Sequence, residues 1–194
     1  MSAMPKRKLT VAEYLAIEEK ADYKSEFFNG EMFAMAGASP THCFVKENLS
    51  GELFAQLKGG PCRAVSSDMR VMVERTGLRT YPDLVIVCGT PEYDPENAHT
   101  LMNPTALVEI LSPSTEKYDR GAKFRNYQQI PSLMEYVLVA QDEPVCDRYL
   151  RQADGSWALV SFVGLTETLA FTSVPVRIPM ADVYAGVVFP EEGR

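Results

Sequence analysis

Histidine is almost missing from this chain. His42 and His99 are the only two, which argues against a His-rich zinc site. The four cysteines, Cys43, Cys62, Cys88 and Cys146, form no CxxC pair. Each lies in or near an apolar stretch, so reduced thiols in a cytoplasmic protein are the expectation. No apolar run approaches the roughly 20 residues of a membrane span. The start, Met1 to Lys8, is basic, but Thr10 to Ala21 is mixed and polar, without the apolar core of a secretory signal. Positive charge is the minority, with a net charge of −7. That argues mildly against a surface coated for nucleic acid and leaves room for a local basic groove. Lys117, Arg120, Lys123 and Arg125 fall in one short stretch, offset by Glu116 and Asp119. They fit such a groove or a solvated helix face. The acidic excess gathers elsewhere, at Glu92, Asp94 and Glu96 and at Glu191 and Glu192.

What is present suffices for one domain. The chain has 194 residues, of which 46% are apolar, enough for a core and too many for a disordered chain. Residues 10 to 22 read as a helix, with Thr10 as N-cap and Glu13 three residues on. Ser25 to Ala36 reads as a hairpin, because Asn29-Gly30 separates two apolar runs. From Thr41 to Lys58, Phe44, Val45, Leu49, Leu53, Phe54 and Leu57 recur at helical spacing. Strands are expected at Cys62–Val65, Asp68–Glu74, Tyr81–Val87 and Ala106–Leu111, with a loop without periodicity from Thr90 to Asn103. Ser114 or Thr115 can cap a helix that Pro131 terminates. A strand at Leu133–Ala140 and further strand-like runs at Val145–Leu150, Trp157–Val163 and Leu169–Val176 follow, with a helical turn near Ala181–Ala185. The order implies an α/β (α+β) domain built on a mixed sheet.

Two acidic residues disturb the apolar strands. Asp83 opens the run Leu84-Val85-Ile86-Val87, and Glu109 sits in the middle of Ala106–Leu111. Both runs are apolar on both faces, as in central strands covered from each side. A carboxylate there is costly to desolvate unless its charge is offset. Two of them on neighbouring strands, about 5 Å apart, point to a divalent cation. Mg²⁺ or Mn²⁺ prefers oxygen ligands and keeps several waters. Asp83, Glu109 and the backbone carbonyl of Ile110 can supply three oxygens. Lys123 can bring a positive charge that orients or deprotonates a water. The alternative is a solvated aspartate at a strand end and a buried glutamate paired with an arginine.

The ordered set of motifs resembles the Uma-type putative restriction endonuclease family, within the PD-(D/E)XK nuclease superfamily. The resemblance runs through Phe27-Phe28-Asn29-Gly30-Glu31, Met35 to Pro40, His42, Ser67-Asp68-Met69-Arg70-Val71, Tyr81-Pro82-Asp83, Leu107 to Thr115, Asp119, Lys123, Tyr127 and Glu135-Tyr136. It implies a restriction-endonuclease-like core with helices flanking a central mixed sheet. The 194 residues then form one domain. An N-terminal helix and hairpin occupies 8–36, the core 37–141 and a β-rich C-terminal extension 142–194. The superfamily places its lysine two residues after the glutamate, and here that position holds Leu111. The resemblance implies that the lysine has moved to the following helix, at Lys123, where it shares a face with Asp119 and Tyr127. An exposed lysine paired with Asp119 is the bland alternative.

The resemblance also implies an accessory acidic residue before the PD strand, either Glu26 or Glu31, against ordinary hairpin-surface charge. Asp68 alternates with Ser66, Arg70 and Met72 and fits a site role or a solvated edge. His42 can meet a phosphate or simply open its helix, and Tyr127 can serve the core or the substrate. The implied activity is Mg²⁺- or Mn²⁺-dependent hydrolysis of DNA phosphodiester bonds, by a homodimer if the C-terminal strands pair between copies. A non-catalytic binding or assembly protein on the same fold and a hydrolase of small phosphate compounds are the competing expectations.

Overall fold

The computed structural model describes residues 7–35 and 37–189. Ala36, at the end of the expected hairpin, and the acidic Glu191 and Glu192 lie outside the described residues.

The chain begins with α1 (Val11–Glu18), capped as its sequence dictates. Thr10 Oγ1 accepts from the Glu13 N–H at 3.2 Å, and the Glu13 carboxylate accepts from the Thr10 N–H at 2.8 Å. Strands β1 (Ser25–Phe28) and β2 (Glu31–Ala34) form the expected hairpin. Its turn needs positive φ at both central residues, which Asn29 (54°) and Gly30 (81°) supply. Tyr14 stacks on Phe27, ring centroids 4.7 Å apart, and ties α1 to the hairpin.

Helix α2 (Pro40–Leu57) starts at Ser39, whose hydroxyl accepts from the His42 N–H. Its buried residues, Val45, Leu49, Leu53 and Leu57, repeat every four positions. Phe44 and Phe54 share the helical spacing but point outward, at 55% and 64% exposure.

Then come β3 (Cys62–Ser66), β4 (Arg70–Val73), β5 (Leu78–Thr80) and β6 (Leu84–Cys88). The stretch expected to be a loop folds into a short hairpin, β7 (Tyr93–Asp94) and β8 (Asn97–Leu101). After β9 (Ala106–Leu111) the chain is helical in three contiguous segments: α3 (Glu116–Tyr118), a π-helical turn (Asp119–Lys123) and α4 (Phe124–Tyr127). Strands β10 (Glu135–Ala140), β11 (Val145–Arg151) and β12 (Trp157–Val163) follow. The small ladder β13 (Thr168–Ala170) and β14 (Arg177–Pro179) and the turn of helix α5 (Met180–Val183) close the fold.

These strands form two six-stranded sheets. The central one has the order β12-β11-β10-β9-β6-β3, the second β2-β1-β5-β4-β8-β7. The central sheet is mixed: β9 and β10 run parallel, β6 and β9 antiparallel. One of its faces packs on α2, β13, β14 and α5, through residues such as Leu49, Leu53, Ile178 and Met180. The other packs on the second sheet and α4, through Val71, Leu78, Phe124 and Tyr127. Strand β9 is buried along its whole length and alternates between them. Ala106, Val108 and Ile110 enter the first core, Leu107 and Leu111 the second.

The strand-like run Leu169–Val176 is strand only in β13, with β14 starting at Arg177, and two further expectations fail. Cys62 and Cys88 are not reduced thiols; they face each other in the β3–β6 ladder and form a disulfide. Register placed them opposite, which spacing in sequence does not show. Cys43 and Cys146 remain free. Asp68 is not on an alternating strand either. It sits in the turn between β3 and β4, because the backbone N–H of Met69 bonds back to the carbonyl of Ser66.

Candidate active site

The β6–β9 ladder pairs Leu84 with Val108. One step further along the same register sets Asp83 opposite Glu109, on the side of the second core. Asp83 stands just before β6, behind Pro82, where the chain needs no ladder N–H from the proline. Both of its oxygens are held. Oδ2 accepts from the Ile110 N–H at 2.8 Å, and Oδ1 lies 2.9 Å from His42 Nε2. The second turn of contacts is therefore made by the first turn of α2, which Ser39 caps.

Glu109 lies between Leu107 and Leu111 and is 4% exposed. Its Oε1 accepts from the Tyr127 hydroxyl at 2.8 Å and pairs with Lys123 Nζ at 2.8 Å. Burial pushes its carboxyl up to about 8; Lys123 opposes this shift, while Asp119 and Asp83 add to it.

Lys123 is the centre of the cluster. Its Nζ lies 3.3 Å from Glu26 on β1 and 3.3 Å from Asp119 one turn back. Burial alone would lower its affinity for a proton, but Glu109, Glu26 and Asp119 together raise it well above the ordinary lysine value. In this arrangement the three carboxylates hold Lys123 as an ammonium that can donate hydrogen bonds. The π-turn is what aims it. A π-turn takes one extra residue into the helix and re-aims the side chains on either side, often at functional sites. Asp119 and Lys123 are its first and last residues, and Tyr136 donates to the Asp119 carbonyl at 3.2 Å. From the second sheet, Thr80 donates to Glu26 Oε1 at 2.5 Å.

The structure brings together Asp83, Glu109, Lys123, Glu26, Tyr127 and, through Asp83, His42. Tyr127 takes the core reading: it is fully buried in the second core, where its hydroxyl donates to Glu109. Glu31 is exposed at the turn end of β2, opposite Phe28, and makes no bond to the cluster among the described residues. Asp68 is exposed and ion-paired with Lys24 at 2.5 Å, and makes no bond to the cluster among the described residues. Ile110 meets Asp83 through its N–H. Thr80 and Asp119 are the partners that sequence reasoning left out of the site. Asp119 carried a signal in its spacing of four from Lys123; Thr80 carried none. The basic stretch is not one groove. Lys123 is buried, and Arg120 is bonded to Glu116 and to Asp147 on β11, leaving Lys117 and Arg125 exposed.

Among the described residues, no three His, Cys, Asp or Glu side chains converge as a ready-made metal cage. The donors nevertheless suit a hard divalent cation, which binds through one or two carboxylates and keeps its waters. Charge points the same way. One ammonium faces three carboxyl groups inside the protein, with Asp83 a fourth nearby; burial drives Glu109 and Asp119 toward their protonated forms, and a bound cation would favour the charged forms instead.

The family described as Uma2, putative restriction endonuclease, matches residues 11–181. Two uncharacterized proteins of Synechocystis sp. are similar throughout. One is 34% identical, covering 95% of this chain and 96% of its own. The other is 33% identical, covering 87% and 95%. A crystal structure of a putative nuclease belonging to DUF820 from Anabaena variabilis superposes with a TM-score of 0.76 at 16% identity, covering 93% of this chain and 99% of that one. It shares the fold.

Proposed function

The chain belongs to the Uma2 family, and from that membership together with the cluster around Glu109 we propose that it is a metal-dependent endonuclease that hydrolyses DNA phosphodiester bonds. The observation that carries the reading is the register pair Asp83 and Glu109, with an ammonium from another element 2.8 Å from the glutamate. Asp83, Glu109 and the main-chain carbonyl of Ile110 would hold Mg²⁺ or Mn²⁺. A cation so bound supplies an acidified water and charge stabilisation at the phosphate.

The chain's own residues do the positioning. The Ile110 N–H and His42 fix both oxygens of Asp83, so its carboxylate cannot rotate away. Tyr127 fixes Glu109 in the same manner. Lys123, kept protonated by its three carboxylates, donates a hydrogen bond to the attacking water or to a phosphate oxygen as negative charge grows there. Glu26 and Asp119 hold the ammonium in place. Phe33, directly opposite Glu26 in the hairpin and 48% exposed, offers an apolar flank to a nucleotide beside the site. A homodimer, with one site for each strand of a duplex, belongs to the same reading.

The test is cleavage of supercoiled and linear DNA with Mg²⁺ or Mn²⁺. Asp83→Asn and Glu109→Gln are expected to lower the rate by roughly 100-fold or more. Full activity in either variant removes the site assignment. Lys123 makes all three of its ion pairs inside the protein, which favours the non-catalytic reading as the alternative. An intact fold that binds neither Mn²⁺ nor Mg²⁺ by calorimetry selects it.

A further inference from the structure

The two sheets end in edges that are protected very unequally. The central sheet ends on one side at β3, five residues that carry Arg63 and are pinned to β6 by the Cys62–Cys88 disulfide. The second sheet ends at β2, four residues including Glu31, and at β7, two residues including Asp94. These are short or charged, as solvent-facing edges usually are. The remaining edge, β12, breaks every one of those rules. It is seven residues long, Trp-Ala-Leu-Val-Ser-Phe-Val, without a charge, a proline or a register shift against β11. Leu159, Val160 and Val163 are 51%, 41% and 63% exposed, and Leu165 just beyond is 46% exposed. Among the described residues no strand pairs with its outer side.

We infer that β12 is the interface of a two-fold homodimer, in which it pairs antiparallel with β12 of a second copy, centred on Val160. The partner follows from the strand itself. Antiparallel pairing about Val160 sets Trp157 opposite Val163 and Ala158 opposite Phe162, a large side chain against a smaller one in each case. Val160 meets its own counterpart. Opposed residues share a face of the sheet, where such pairs stabilise the ladder. The strand is neutral, so two copies meet without like-charge repulsion, although the chain as a whole carries −7. A closed two-fold contact also uses up the edge in both copies and leaves nothing to propagate. The central sheet then runs continuously through both protomers. This names the surface for the homodimer of the proposed function but needs no catalytic step, so the two readings fail separately.

Sedimentation equilibrium of the full chain without nucleic acid or added metal is the test. The wild type is expected to be a dimer and Val160→Lys a monomer, with circular dichroism and melting of the variant showing an intact fold. The register is read by disulfide trapping in a Cys43→Ser background. Under oxidation, Val160→Cys is expected to give covalent dimers, because opposed Cα atoms in such a pair lie within disulfide reach. A monomeric wild type, or a dimer that Val160→Lys leaves intact, overturns the interface. Trapping through Ala158→Cys with none through Val160→Cys overturns the centring. Loss of DNA cleavage in Asp83→Asn with dimerisation unchanged keeps the two readings apart.

Discussion

Strand β9 presents opposite chemistry to its two sides. Toward α2 it shows Ala106, Val108 and Ile110, and the layer they meet is apolar. Toward the second sheet it shows Leu107, Glu109 and Leu111, and around Glu109 lie an ammonium, two further carboxylates and a phenol. The backbone and the burial are the same; only the demands differ. An apolar face needs volume, so one methyl group is the unit of damage. The charged face needs balance, so one missing partner leaves a buried ion with nothing to offset it. The protein meets that demand with parts from five elements, β1, β5, β9, the π-turn and α4, whereas the apolar face needs only close packing.

Breaking this contrast is straightforward. The largest effect is expected at Lys123→Met, which keeps the bulk and removes the only ammonium in the cluster. A loss of about 3–5 kcal/mol by urea denaturation is expected. A smaller loss than the one at Val108→Ala, for which about 2 kcal/mol is expected, would mean that the charged face is no more fragile than the apolar one. The disulfide comes next. Cys62 belongs to the apolar core and Cys88 packs against it; opening a cross-link over 26 residues by Cys88→Ser costs about 3 kcal/mol. Thiol counting on the unreduced, denatured wild type should find Cys43 and Cys146 alone, and four thiols would remove the bridge. Tyr127→Phe is the mildest, about 1 kcal/mol for its bond to Glu109, with a wider loss in cleavage than in stability.

Acidity sharpens the same comparison. The folded-state pKa of Glu109 is raised to about 8 and that of Asp119 is raised in the same direction, both by burial first. Over this range the native state holds more protons than the unfolded chain, so stability falls as pH rises from about 4.5 toward 8. Melting in the presence of a chelator should show that slope, and Glu109→Gln should flatten it. An unchanged slope in the variant would assign the pH dependence elsewhere.

Much of this face was legible in the sequence because local chemistry dictates it. Asn29-Gly30 makes its turn, Thr10 and Glu13 their capping box, and two carboxylates stand out in apolar strands whatever surrounds them. Lys123 was reached through the family resemblance, with its spacing from Asp119 and Tyr127 in support. What escaped depends on long-range register. The disulfide requires knowing that Cys62 and Cys88 are opposed. Thr80 requires the β1–β5 pairing that brings it to Glu26. The β7–β8 hairpin hides in a short polar stretch where only main-chain bonds, and no apolar pattern, announce a strand. Phe44 and Phe54 keep helical spacing while facing water, since periodicity marks a face but not which faces are covered.

The π-turn carries a historical consequence. A helix acquires such a turn by taking in one residue, and each residue of an α-helix turns its side chain by about 100°. Deleting Gly121, whose surroundings leave space around it, would let the helix heal into regular α form and turn Lys123 by about 100° relative to the segment that carries Asp119. Asp119 and Lys123 would still be neighbours at a spacing of three, but the placement of the ammonium against Glu26 and Glu109, which come from strands, would be reset. Length variation among relatives at this one place would separate members that retain the lysine's geometry from those that have abandoned it.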